Sequence, residues 1–341
     1  MGLFLGSPCV FARREFLASK YGVILEETQC GVNLYNKLAP ILTLHFGIGY
    51  AEGEFDETGI QAVPKQEVKK KKTPSGRSAV FACKADPRFS FSLYVPKHAE
   101  PPRNLLVSVH GSARDQHTFR EVFVEFAERT NTVVLAPLFP IGVSGDDNSN
   151  GYKYLREDDI HYDRVLLDMV AQAEQMLSIQ FPPFFLFGFS GGGHFAHRFF
   201  YLHPQKLKAV SISAPGSVTL LDREQNWWVG VADIEQRLGG KVDLQRLQQV
   251  PVHLSVGLLD IETREITHVE GGKYFMPGAN AAGRTRIDRN DQLKASLLQN
   301  GVRVQQDRIP NVGHNLHGVL PATLSFLNKQ LDKELEDHRD C

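Results

Sequence analysis

The chain is poor in cysteine: four among 341 residues, at positions 9, 30, 83 and 341, far apart and without a Cys-x-x-Cys pair. That spacing excludes a dense disulfide framework and argues against a zinc site, so a reducing, cytoplasmic setting is the expectation. Net charge is nearly absent, with 38 basic residues against 39 acidic ones. No global field therefore draws a polyanion, and nucleic acid is not an expected partner. No apolar run approaches the ~18 residues needed to span a bilayer, so no membrane partner is expected. The opening residues lack a basic leader, and Arg13 and Arg14 interrupt their apolar stretch, which speaks against a signal peptide. Gly2 invites a myristoylation reading, but Gly6 stands where Ser or Thr is required. Tryptophan occurs only twice, at Trp227 and Trp228.

What is present is the composition of an ordinary soluble globular protein, 42% hydrophobic and 23% charged. The length suits one large domain with appendages. Residues 1–50 mix aromatic and aliphatic side chains and read as an N-terminal extension of one or two helices. Residues 51–78, rich in Gly, Glu and Pro and containing Lys69, Lys70, Lys71 and Lys72, read as an exposed linker. The lysine run also fits a nuclear localisation signal, although a solvated tether is the simpler reading.

From residue 79 short apolar runs alternate with helical periodicity, the pattern of an α/β domain with a mostly parallel sheet. Strands are expected at 79–84, 89–95, 105–109, 132–136, 184–189, 208–213, 252–257 and 302–308. Helices are expected at 116–130, 160–180, 194–202, 288–299 and 320–335, the last closing a domain over 79–335 before a short tail, 336–341. In such a sheet chemistry sits at the carboxyl ends of the strands.

Gly188-Phe189-Ser190-Gly191-Gly192 matches G-x-S-x-G, a pattern short enough to arise by chance. Its context gives it meaning: it follows an apolar strand and opens a helix, the setting in which a serine is presented on a sharp turn. A serine hydroxyl needs a base, and the base needs an orienting carboxylate. His314 follows the strand that breaks at Pro310, and Asp260 stands just past the strand 252–257; the order Ser190, Asp260, His314 suits an acyl-transfer triad. His317 is the fallback base, more simply read as capping the next helix. Gly191 and Ser112, with Ala113 as a neighbour, are the expected backbone donors to an oxyanion. His110 is read as structural, as are Asp163 and Arg164 in an ion pair. His194 and His197 have a spacing that metals use, but no third ligand accompanies them, and they are read as satisfied by hydrogen bonds.

Residues 214–247 separate two strands by more than an ordinary connection and read as a cap over the site. Trp227 and Trp228 within it, together with Phe189 and Tyr152, are candidates for a substrate pocket, although the tryptophans serve equally well as anchors. The stretch 151–154 and the loop 261–286 are further candidates for its border.

HGS at 110–112, GFSGGG at 188–193, VGLLD at 256–260 and PNVGH at 310–314 resemble the α/β-hydrolase superfamily, and its esterase and depolymerase-type members in particular. The resemblance covers about residues 79–335. It implies an α/β-hydrolase fold with helices on both faces of the sheet and a small cap. It also implies a cofactor-free, metal-independent hydrolase, without specifying the substrate; a small to medium carboxylic ester is the expected small-molecule substrate, aromatic ones included because of the large aromatics in 214–247. The same triad serves thioesterases, acyltransferases, peptidases and C–C hydrolases, and a silent binding protein is the reading from another class. The oligomeric state is left open.

Overall fold

The computed structural model describes residues 75–98 and 100–337. The expected N-terminal extension, the linker up to residue 74 and the tail beyond 337 lie outside the described residues. A hairpin opens the domain: β1 (Gly76–Ala82) pairs antiparallel with β2 (Ser90–Val95). The sheet thus begins at Gly76, three residues inside the stretch read as linker, because Arg77 and Ser78 take part in it: Ser78 Oγ accepts from Leu93 N at 2.8 Å.

The chain continues through β3 (Asn104–Val109), α1 (Gln116–Glu121), α2 (Val124–Thr130) and β4 (Thr132–Leu138). A helix expected over 116–130 is broken at Phe123, which turns into the core and is fully buried. A two-stranded ribbon, β5 (Arg156–Glu157) and β6 (Ile160–His161), precedes α3 (Tyr162–Leu177). Then come β7 (Phe184–Phe189), α4 (Gly191–Leu202), β8 (Leu207–Ser213), the short helices α5 (Ile234–Leu238) and α6 (Leu244–Leu247), β9 (Val252–Gly257), α7 (Arg286–Gln299), β10 (Val304–Ile309) and α8 (Leu316–Asp337).

The eight-stranded sheet has the order β1-β2-β4-β3-β7-β8-β9-β10, antiparallel at β1, β2 and β4 and parallel from β4 to β10. Side chains on a strand alternate between faces, and β7 shows it: Phe184 and Leu186 enter one core, Phe185, Phe187 and Phe189 the other. The first core is covered by α3, α4 and α7 through Leu166, Phe199 and Leu293. The second is covered by α1, α2 and α8 through Phe119, Phe126 and Phe326. A sheet buried on both faces needs apolar residues at successive positions, which is why β7 reads FFLFGF. No helix among the described residues is long and apolar enough to cross a membrane.

The long connection 214–247 contributes Val218, Leu221, Val231 and Leu238 to the first core. It is a flank of the domain rather than the cap expected from its length.

Candidate active site

The carboxyl end of β7 delivers Ser190 at φ +55°, ψ −116°, where α4 begins. An L-residue takes that conformation only when its surroundings enforce it. The neighbours do so by close approach: a Cβ on Gly188 would stand 2.0 Å from Gly192 O, and one on Gly192 would stand 2.2 Å from Val109 O. Only glycine at both positions lets α4 start directly against β3 and β7. Ser190 N donates to Ser213 O at 2.9 Å, tying the turn to β8.

β9 and β10 run in register, and the loops after them lock together. Leu258 N donates to Ile309 O at 2.9 Å and Leu259 N to Val312 O at 2.8 Å. Asn311, at φ +60°, turns the chain so that His314 faces back over β7. The result brings together three side chains from positions 190, 260 and 314. His314 Nδ1 lies 2.7 Å from Asp260 Oδ2, and its Nε2 lies 2.9 Å from Ser190 Oγ. A carboxylate only accepts, so Nδ1 carries the proton and Nε2 is free to accept from the serine hydroxyl. Phe189 stacks on the imidazole, ring centroids 4.7 Å apart, and fixes its plane. His317 is exposed on the first turn of α8 and takes no part in these contacts.

Asp260 is buried, and its second oxygen is held as well: Arg286 Nη1, on the first turn of α7, donates to Oδ1 at 3.0 Å. Arg286 continues to Glu265 through Nη2 at 3.3 Å. The sequence reading did not find Arg286, because an arginine after Thr285 looks like an ordinary helix start.

Ser190 and His314 open into a cavity of about 980 Å³, bordered by Gly111, Ser112 and Ala113 on the β3 side and by Phe189 beneath. Gly191 sits at the first helical position of α4, where backbone N–H groups have no partner within the helix. The walls are the segment 146–154 and the loop 265–275; from 214–247 only Gly216 reaches the cavity. The two walls are clasped: Lys273 Nζ donates to Asp146 at 2.9 Å, Asn148 bonds Tyr274 Oη, and the Tyr154 and Tyr274 rings stack at 4.1 Å.

Three residues expected at the pocket wall lie behind it. Trp228 is 5% exposed, donates from Nε1 to Tyr274 O at 2.9 Å, and packs on Tyr154 and His268. Trp227 packs against the core beside it. Both are anchors, drawn inward because indole offers more apolar area to burial than any other side chain. Tyr152 is 1% exposed, its hydroxyl wedged beneath Gly191 and donating to His110 O at 3.4 Å. Its neighbours Lys153 and Tyr154 border the cavity in its place.

His110, His194, His197 and His203 are held by hydrogen bonds. His110 Nε2 accepts from Phe139 N at 3.0 Å, and burial pushes its pKa down to about 4. His194 Nε2 accepts from Gly216 N at 2.7 Å and Ser217 N at 3.0 Å; His197 Nε2 accepts from Thr219 N at 3.0 Å. Asp163 pairs with His203 at 2.7 Å. No cluster of metal-ligating side chains occurs among the described residues.

No family model and no curated protein matches the chain. Solved structures do. A poly(aspartic acid) hydrolase-1 from Sphingomonas sp. KT-1 superposes with a TM-score of 0.60 at 19% identity, covering 74% of this chain and 98% of that one. A poly(3-hydroxybutyrate) depolymerase from Bordetella parapertussis superposes with a TM-score of 0.59 at 22% identity, covering 74% and 90%. A fluorophosphonate-binding serine hydrolase of Staphylococcus aureus reaches a TM-score of 0.50 at 12% identity, covering 75% and 98%. With a mostly parallel sheet of this order, a serine presented at the end of β7 and neighbours of this kind, the chain has the α/β-hydrolase fold.

Proposed function

We propose that the chain is a serine hydrolase that cleaves a carboxylic ester through an acyl-enzyme. The observation that carries this reading is the continuous contact from Asp260 through His314 to Ser190, at 2.7 and 2.9 Å. In the mechanism His314 Nε2 takes the Ser190 proton as Oγ attacks the carbonyl, and Asp260 stabilises the imidazolium. Gly191 N–H, at the positive end of α4, and the Ser112 N–H receive the oxyanion. The imidazolium returns the proton to the leaving alkoxide. Water then attacks the acyl-enzyme with His314 again as base, releasing the acid and restoring Ser190.

Two structural neighbours, a poly(aspartic acid) hydrolase and a poly(3-hydroxybutyrate) depolymerase, are in keeping with hydrolysis of an acyl bond. A cavity of about 980 Å³ is at the upper end of the size that admits a small to medium molecule. Phe189, Tyr154 and Tyr274 on its surface give apolar area for such a substrate.

A fluorophosphonate probe followed by peptide mapping tests the reading. Ser190 is expected to be labelled, and Ser190→Ala and His314→Ala are each expected to abolish turnover of small esters while the fold persists. A folded wild-type protein that neither reacts with the probe nor turns over a panel of esters, thioesters and peptides would be a binding protein instead.

A further inference from the structure

A buried cation is normally matched by a carboxylate, because neutral acceptors satisfy its donors without cancelling its charge. Behind the floor and inner wall of the cavity the chain departs from that rule repeatedly. Arg198 is fully buried and donates to Thr219 Oγ1 at 2.9 Å, Ser217 Oγ at 3.2 Å and the Lys153 carbonyl, with its guanidinium over the Tyr154 ring. Arg289 is 1% exposed and donates to the carbonyls of Gly283, Gly216 and Ile266 and to Asn280 Oδ1. Arg114, half-buried, likewise donates only to carbonyls, those of Phe139, Ser112 and Ser149. None of the three is paired with an acid among the described residues.

Lys153 lies on the cavity surface in front of them. Its Nζ donates to Asn150 Oδ1 at 2.7 Å, and among the described residues no carboxylate stands within ion-pair distance of it. Its Cε is 3.0 Å from the place a Cβ on Gly191 would take, and Ser112 Oγ is 3.1 Å from the same place, so the ammonium stands beside the expected oxyanion donors. The carboxylates that reach the cavity, Asp146, Asp147 and Glu265, are on exposed loop positions, and two are occupied, Asp146 by Lys273 and Glu265 by Arg286. The unmatched charge behind the cavity is thus positive: the buried acids Asp260 and Glu157 are held by Arg286 and His314 and by Tyr162, and the acids that reach the cavity are at the rim. Neighbouring groups register that field: desolvation, then Arg114, Arg198 and Arg286, push Lys153 down to about 8, and desolvation, then Arg289, Arg198 and Lys153, push His268 down to about 4.

We infer that the substrate carries a carboxylate within a few bonds of the scissile carbonyl, and that Lys153 receives it at the floor of the cavity. The inference rests on the hydrolase reading above and narrows its substrate class to anionic esters. The charge is the specificity device: a neutral ester leaves Lys153 desolvated and unanswered, whereas a carboxylate exchanges its water for a charge-assisted hydrogen bond.

Two pairs of esters test it in a pH-stat: ethyl hydrogen glutarate against diethyl glutarate, with the charge on the acyl side, and 3-acetoxybutanoate against its methyl ester, with the charge on the alcohol side. The wild-type protein is expected to prefer the anionic member of at least one pair by about 10-fold in kcat/KM. Lys153→Met is expected to erase that preference and Lys153→Arg to keep most of it, with thermal unfolding followed for both. Preference for the neutral member in both pairs, or a Lys153→Met variant in which both members of a pair fall equally, overturns the inference. Its failure differs from failure of the hydrolase reading: in the first case Ser190 is labelled and neutral esters are turned over, and in the second neither happens.

Discussion

Arg286 grips Asp260 from the oxygen that His314 does not use, Nη1 to Oδ1 at 3.0 Å, with both side chains buried. The carboxylate that holds the His314 imidazole is therefore itself held, by a residue on α7 that hydrogen-bonds to neither Ser190 nor His314. Arg286→Met removes that second hold and leaves Oδ1 without a donor. The expected result is a kcat on a neutral ester about 10-fold lower or more, with KM little changed. A loss of stability of about 3–5 kcal/mol accompanies it, the usual cost of breaking a buried pair. Arg286→Lys should recover part of the rate. Unchanged kcat in the methionine variant would remove Arg286 from any positioning role.

The Lys153 ammonium should be visible in a pH profile. Its pKa is pushed down to about 8, by desolvation first and then by Arg114, Arg198 and Arg286, with Glu265 opposing them. The charge is present below that value and lost as pH rises through it. For an anionic ester kcat/KM should decline above about pH 8, while the neutral partner lacks this limb. Profiles of the two esters that run parallel through pH 9 would contradict the assignment.

Acid should destabilise the fold through its buried imidazoles. Burial holds His110 at about 4 and His194 and His197 well below their ordinary value. Each has a ring nitrogen accepting a backbone N–H, a bond that protonation turns into a clash of donors. Because the folded pKa values are depressed, the unfolded chain takes up protons first, and stability falls as pH drops below about 6.5. His110 alone accounts for about 3 kcal/mol between its unfolded value and about 4. Urea midpoints at pH 7.5 and 4.5 measure the effect, and equal midpoints would refute it.

The glycines of the serine turn are not equivalent to those of the surface. Gly192→Ala places a Cβ 2.2 Å from Val109 O and 2.8 Å from His110 O, both backbone atoms that cannot move aside. It should prevent soluble folding or lower the unfolding temperature by more than 10 °C. Gly271→Ala, at φ +80° with no atom within 4 Å of the new Cβ, bears only backbone strain and should cost about 1 kcal/mol. Similar melting temperatures for the two variants would mean that α4 does not abut β3 so closely.

The strands and the order of Ser190, Asp260 and His314 were legible because both are written in local pattern. Continuous apolar runs such as 184–189 mark strands buried on both faces, and each candidate catalytic residue follows the end of one. The walls of the cavity were not legible in the same way. Length singled out 214–247, yet its apolar residues point into the core, while the loops 146–154 and 265–275, mostly polar, stand over the site. Trp227 and Trp228 illustrate why: a large aromatic in a long connection signals burial as readily as contact with a ligand. Arg286 and Lys153 carry no local signature at all, since what distinguishes them is which charges lie across the fold from them. Lys153 does lie within 151–154, whose sequence suits a border of the pocket, but nothing local sets it apart from Tyr152 beside it.

Arg289 reaches Gly283, Gly216, Ile266 and Asn280 from one position on α7. A single guanidinium thus staples stretches of chain up to 73 positions apart, a task that secreted proteins often give to cystine. Such a staple is indifferent to oxidants and thiols. The shape of the wall that faces the cavity should accordingly survive reduction as well as oxidation, and respond instead to anything that competes for backbone carbonyls, such as guanidinium salts at concentrations too low to unfold the sheet.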